Sequence, residues 1–109
     1  MPVYSVENLW VEGSEAEFSS GTFCTYPPGD PFPEWQVELH GLGPALRKRA
    51  ALAILQESTL TVELATTGGI RGRFKAAVTC LDLTQPSECS LICRVSGPIV
   101  WLNDPPPFA

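Results

Sequence analysis

Apolar and polar residues alternate with a period of two through most of the second half of the chain. In Thr59-Leu60-Thr61-Val62-Glu63-Leu64-Ala65, the residues Leu60, Val62 and Leu64 fall on one side, which predicts a half-buried strand. Thr66-Thr67-Gly68-Gly69 follows as a turn in which glycine can take positive φ. The next run, Ile70 to Cys80, places Ile70, Phe74, Ala76, Val78 and Cys80 on one expected inner face and Arg71, Arg73 and Lys75 on the other. A polar break at Thr84 to Glu88 precedes a third run, in which Cys89, Leu91, Cys93 and Val95 alternate inward. Together these runs predict an antiparallel meander with one dry and one charged face.

Gly97-Pro98 is expected to bend the chain before a short apolar strand, Ile99 to Leu102. Upstream, Trp35 to His40 alternates as a further strand, and the one helical stretch covers about 44–56, with Pro44 at its first position and Ala, Leu, Arg and Lys in its body. Leu42, Leu46, Ala50, Ala53 and Ile54 make its expected buried stripe, with Arg47 and Lys48 facing solvent. Weaker strand signals lie at Val3 to Val11 and Glu17 to Cys24. Residues 25–34 are rich in proline and predict a loop, and three successive prolines predict an extended arm over 103–109. The expected fold is a single domain over 1–109 of mainly β (α+β) class, an antiparallel β-sandwich or barrel-like sheet with one packed helix.

Composition narrows the classes. Apolar residues are 44% of the chain, yet the longest unbroken apolar run is Ala50 to Leu55, far short of the roughly 20 residues of a membrane helix, so no membrane span is expected. The first residues, Met1 to Glu7, show neither a basic nor an apolar leader region, and a cytoplasmic place of synthesis is expected. Cys24, Cys80, Cys89 and Cys93 then read as buried free thiols. A hairpin symmetric about Thr84-Gln85 would instead set Cys80 opposite Cys89, where a cross-strand disulfide could form.

Charge is divided unevenly. The first 46 residues hold Glu7, Glu12, Glu15, Glu17, Asp30, Glu34 and Glu38 and no Lys or Arg, whereas 47–109 holds all seven bases against five acids. The overall net charge of −5 argues against a general nucleic-acid binder, but the bases fall into two clusters, Arg47-Lys48-Arg49 and Arg71, Arg73, Lys75. Either cluster is a solvated face, with Arg71 or Arg73 paired to Glu63, or a docking patch for the acidic end of a second copy. Tyr4 and Trp10 near one end, and Trp101 and Phe108 near the other, look like aromatic anchors on arms that pack on their own domain or on a neighbour.

Candidate chemistry is sparse. His40 is the one histidine, and Glu38 shares its face of a strand, which would suit an acid/base pair. No nucleophile motif or phosphate loop accompanies it, and Cys89 and Cys93 on one strand lie about 13 Å apart, too far to hold one ion. No catalytic residue, metal or cofactor is expected, and an enzyme centred on His40 is the minor alternative.

The wording of residues 35–101 resembles the tail tube proteins of long-tailed bacteriophages. The resemblance rests on Trp35-Gln36-Val37-Glu38-Leu39, the helix near Ala45 to Leu55, Leu60-Thr61-Val62-Glu63-Leu64, Gly72-Arg73-Phe74 running into Val78-Thr79-Cys80-Leu81, and Ser96-Gly97-Pro98-Ile99-Val100-Trp101. It implies a β-sandwich that joins six-fold rings, stacks them into a tube with an acidic lumen, meets other virion proteins and passes DNA as cargo. The chain is short for such a subunit, and residues 1–34 match no part of the pattern. The expectation is therefore a non-enzymatic, self-assembling structural protein of the virion. Its assembly contacts would use Arg47, Lys48, Arg49, Arg71, Arg73 and Lys75, the acids Glu7, Glu12, Glu15 and Glu17, and Trp10, Trp101 and Phe108. The alternative is a small monomeric binding module for nucleic acid or an acidic protein.

Overall fold

The computed structural model describes residues 3–26 (the backbone alone at 25 and 26), 34–85 and 88–103. Along the chain run β1 (Val3–Val11), β2 (Ser14–Glu15), β3 (Ser20–Tyr26), β4 (Glu34–His40), α1 (Pro44–Leu55), β5 (Leu60–Thr66), β6 (Arg71–Asp82) and β7 (Ser90–Trp101). All ladders are antiparallel. Neighbours follow the order β1-β3-β4-β7-β6-β5, and β5 pairs back onto β1, so six strands close into a barrel, with β2 a flap on β1. Of the two expected sheet forms, the barrel is the one adopted.

Closure depends on β1. Its first residues, Val3 to Ser5, pair with Cys24 to Thr22 of β3, and Val6 to Val11 pair with β5 from Thr66 to Val62. A register shift between Val6 and Asn8 makes the change of partner, as bulges do where a strand must bend. The strand expected at Val3 to Val11 thus forms over those residues, as part of the barrel wall. At its end Glu12 (φ 51) and Gly13 (φ 83) form the two-residue turn into β2, both in the left-handed conformation that matches strand twist.

The alternating runs fold as their periodicity predicts, with three differences. Leu60, Val62, Leu64, Ile70, Phe74, Ala76, Cys89, Leu91 and Cys93 are buried and Arg71, Arg73 and Lys75 exposed. Cys80, however, is exposed, because the register shifts between Val78 and Cys80 and reverses the faces beyond it. Cys80 therefore opposes Ile92 rather than Cys89, and Cys24, Cys80 and Cys93 are free thiols. The chain beyond Gly97 forms no separate strand either: β7 runs unbroken to Trp101, with Gly97 at φ 84 inside a second register shift. Third, the strand expected at Glu17 to Cys24 begins at Ser20. The Pro-rich segment 27–33 and the arm beyond Asn103 lie outside the described residues.

The barrel is filled. Phe23, Leu9, Leu39, Leu64 and Leu91 are essentially inaccessible, each burial worth about 1.5–3 kcal/mol. Where Leu9, Val37, Leu46, Val62 and Leu91 converge, the void is only about 10 Å³, and its lining is apolar. At one end Phe23 stacks on Trp35 (4.5 Å between centroids) and Phe74 (5.8 Å), while Tyr4 stacks on Trp35 and Trp101 meets both Trp35 and Phe23 edge-on. Trp101 lies over Gly72, where a Cβ would come within 3.4 Å of its ring. Tyr4 and Trp101 are thus core aromatics of their own domain, not anchors held out on arms.

Helix α1 covers the opposite end. Pro44 starts it without wasting a donor, and Gly43 precedes it in an extended conformation. It stops in a double hydrogen bond, Ser58 N–H to the Ala53 carbonyl (3.0 Å) and Glu57 N–H to that of Ile54 (3.2 Å), with Glu57 at φ 52. That is the Schellman arrangement, with Glu where glycine is usual. Leu46, Ala50 and Ala53 are its buried residues. Ile54, expected inside, is 46% exposed, beside Leu52 at 42% and Leu55 at 80%. Residue spacing explains this: Leu46, Ala50 and Ala53 define the inner face, and Ile54 lies one step of about 100° beyond it.

Candidate functional site

Of the two basic clusters, Arg71, Arg73 and Lys75 stand on the outer wall made by β1, β5 and β6. Strand register lines up Glu15, Trp10, Glu63, Arg73 and Val100 as one row across β2, β1, β5, β6 and β7. Alternation carries all five side chains outward, because Val62, Leu64, Gly72 and Phe74 beside them point in. Half-buried Glu63 is the hub: its carboxylate accepts from Arg73 at 3.0 Å through one oxygen and from Arg71 at 3.1 Å through the other. The hydrogen bond from Arg73, more than any other contact, holds the Glu63 carboxyl below its ordinary pKa. The Arg71 guanidinium also lies 5.7 Å from the Trp10 ring centre, within cation–π range. Trp10, Gly13, Thr61, Glu63 and Arg73 line a shallow groove there.

The positive charge of this cluster is local. One carboxylate between two guanidiniums leaves one unit and Lys75, opposite Thr61, adds a second, while Glu12 beside Thr61 and Glu15 at the other end of the row supply two negative ones, so the wall is positive along β6 and negative along the β1–β2 hairpin. The wall can therefore hold an anionic group beside an indole face, or dock against an acidic surface.

The other selected residues are dispersed. Glu12 belongs to the β1–β2 turn, where its carboxylate accepts from Thr61 N–H at 2.9 Å and its own N–H donates to the Thr61 carbonyl. Glu15 accepts from Asn8 at 3.4 Å, and Glu7 is exposed on β1. Glu17 is brought to the start of α1, where its carbonyl accepts from Gly43 N–H, and a carboxylate there suits the helix dipole. Arg47 is half-buried and donates to the Cys89 sulfur at 3.8 Å, whereas Lys48 and Arg49 are exposed on the helix. Phe108 lies outside the described residues.

A second polar region occupies the helix end of the barrel. His40 sits 3.3 Å from Glu38, and with Ser19, Ser20, Asp82, Gln85, Glu88 and Ser90 it lines an open cleft. Asp82 is engaged locally: it accepts from Thr84 N–H at 2.9 Å and from the Thr84 hydroxyl at 2.6 Å, the hydroxyl bond being the main cause of its lowered pKa. Two of the thiols are disfavoured as nucleophiles. Burial pushes Cys93 up to about 12, and burial followed by the nearby Glu38 charge raises Cys24. Among the described residues no three His, Cys, Asp or Glu side chains converge as metal ligands.

Two features of this surface escaped the sequence. Trp10 meets Arg71 only because β1 crosses to β5, a pairing between distant segments that no local pattern encodes. The outward Leu52 and Leu55 carried a signal, since they follow Lys48 at spacings of four and seven, which is one helix face. Among the described residues no helix is long and apolar enough to cross a membrane. Comparison with protein-family models, with characterised proteins and with solved structures found no match to this chain.

Proposed function

We propose that this chain is a non-enzymatic, self-assembling structural protein, and that the resemblance of residues 35–101 to phage tail tube proteins marks it as a virion component made in the host cytoplasm. The observation that carries the reading is the filled barrel. The void where Leu9, Val37, Leu46, Val62 and Leu91 meet is about 10 Å³, too small for a ligand, which leaves the outer walls as the surfaces for contact among the described residues. A DNA passage would then lie between subunits, never through one. The positive row of Arg71, Arg73 and Lys75 on β6 supplies one contact surface, and β7 beyond Arg94 supplies another, since among the described residues it is paired on one side only. Negative-stain microscopy with light scattering tests the reading: rings or tubes are expected, dispersed by Arg71→Glu with Arg73→Glu, and a monomer at every concentration overturns it.

A second reading is favoured by Trp10. An indole beside an arginine pair is a surface on which a nucleobase stacks while its phosphate is neutralised. Salt-dependent binding of single-stranded DNA by the monomer, lost in Trp10→Ala, would replace assembly with this binding role.

A further inference from the structure

Helix α1 is built inside out. Its inner face is Leu46 and two alanines, while Leu52, Ile54 and Leu55 face water, Leu55 at 80% exposure. Pro44, Lys48, Ala51 and Leu55 follow at spacings of four, three and four, with Leu52 alongside, and this is the stripe a helix presents to a second helix. The charges are arranged against the helix's own interest. Arg47, Lys48 and Arg49 occupy its first half, near the positive end of the dipole, and no base lies in its last turn. Glu57 just beyond holds a left-handed conformation (φ 52) that disfavours a side chain, and its carboxylate makes no hydrogen bond or ion pair among the described residues.

A second copy laid antiparallel resolves each of these oddities, and we infer that the outer face of α1 is a two-fold dimer interface. With the axis near Leu52, the Leu52 and Leu55 side chains of the two copies cover one another across Ala51. Lys48 of each copy then stands over Glu57 and the negative helix end of the other, so the contact is self-complementary in charge as well as shape. The described chain ends away from this face. Asn103, the last described residue, is fixed by Arg71 N–H donating to its side-chain oxygen (2.9 Å) and by its amide donating to Gly69, at the far end of β6 from the helix.

The inference rests on the reading of the chain as self-associating but uses a different face, so the two can fail separately. Sedimentation equilibrium of the full chain is expected to show a dimer that Leu55→Glu converts to monomer, with unchanged circular dichroism because Leu55 is on the surface. Lys48→Glu and Glu57→Lys each act twice across the axis and should raise the dimer Kd about tenfold, and the double variant should restore it. A monomeric wild type, a Leu55→Glu chain of unchanged mass, or a double variant no better than the singles would overturn the inference. Arg71→Glu with Arg73→Glu should leave this dimer intact even where it disperses larger assemblies.

Discussion

At the end of the barrel where β4 begins and β7 finishes, the large side chains turn inward: Phe23, Trp35, Phe74 and Trp101 pack ring against ring. At the end covered by α1 the small residues Ala50 and Ala53 turn inward, and Leu52, Ile54 and Leu55 turn outward. The difference separates two uses of apolar surface. Aromatic bulk directed inward stabilises the subunit itself, whereas aliphatic bulk directed outward contributes less to the isolated chain and gains on contact with another.

The widest test of that contrast pairs one deletion at each end. Phe23→Ala should cost about 3–5 kcal/mol of unfolding free energy in a urea titration, because its site is fully buried among rings that cannot collapse around the gap. Leu55→Ala should leave the monomer unfolding midpoint nearly unchanged. Next, Ala50→Leu should destabilise by about 1–3 kcal/mol, since Ala50 has no exposed surface and a larger residue must push the helix off the barrel. A similar loss at an outward position such as Ala51 would erase the distinction between the two helix faces.

A smaller effect has the opposite sign. Glu57→Gly should stabilise the monomer by about 1 kcal/mol by relieving the left-handed φ, while weakening the dimer. Stabilisation without loss of association would assign Glu57 no part in contact. The smallest effect belongs to the wall. Glu63 is held below its ordinary pKa in the folded state, so its contribution is fully present above that ordinary value and is lost as pH falls through the lowered one. The acid limb of a stability–pH profile should therefore be flatter in Glu63→Gln than in the wild type, and an identical limb would show the arginine fork to be without effect on folding.

Much of the fold was legible because strands with one buried face must alternate. Leu60 to Leu64, Ile70 to Ala76 and Trp35 to His40 reveal themselves by period alone, and Pro44 announces the helix. The faces were lost where a bulge shifts register: Val78 and Cys80 obey the alternation in sequence, but the backbone between them does not. Closure was not legible, because the pairing of β1 with β5 depends on shape across the whole barrel rather than on either segment. The site followed the same division. Arg71, Arg73 and Lys75 on one strand face could be read directly, and their link to Glu63 followed from the hairpin. Trp10 arrived from the other side of the closing seam.

That seam also sets an order of events as the chain is made. The strand holding Trp10 waits for a partner at Glu63, more than fifty residues later, and until β5 exists β1 keeps a bare edge. Even then the cylinder stays open, because it shuts only when β7, the last strand made, has paired with both β4 and β6. Leu9 and Leu64 can meet as soon as β5 is made, whereas Leu39 and Leu91 meet only as the cylinder shuts.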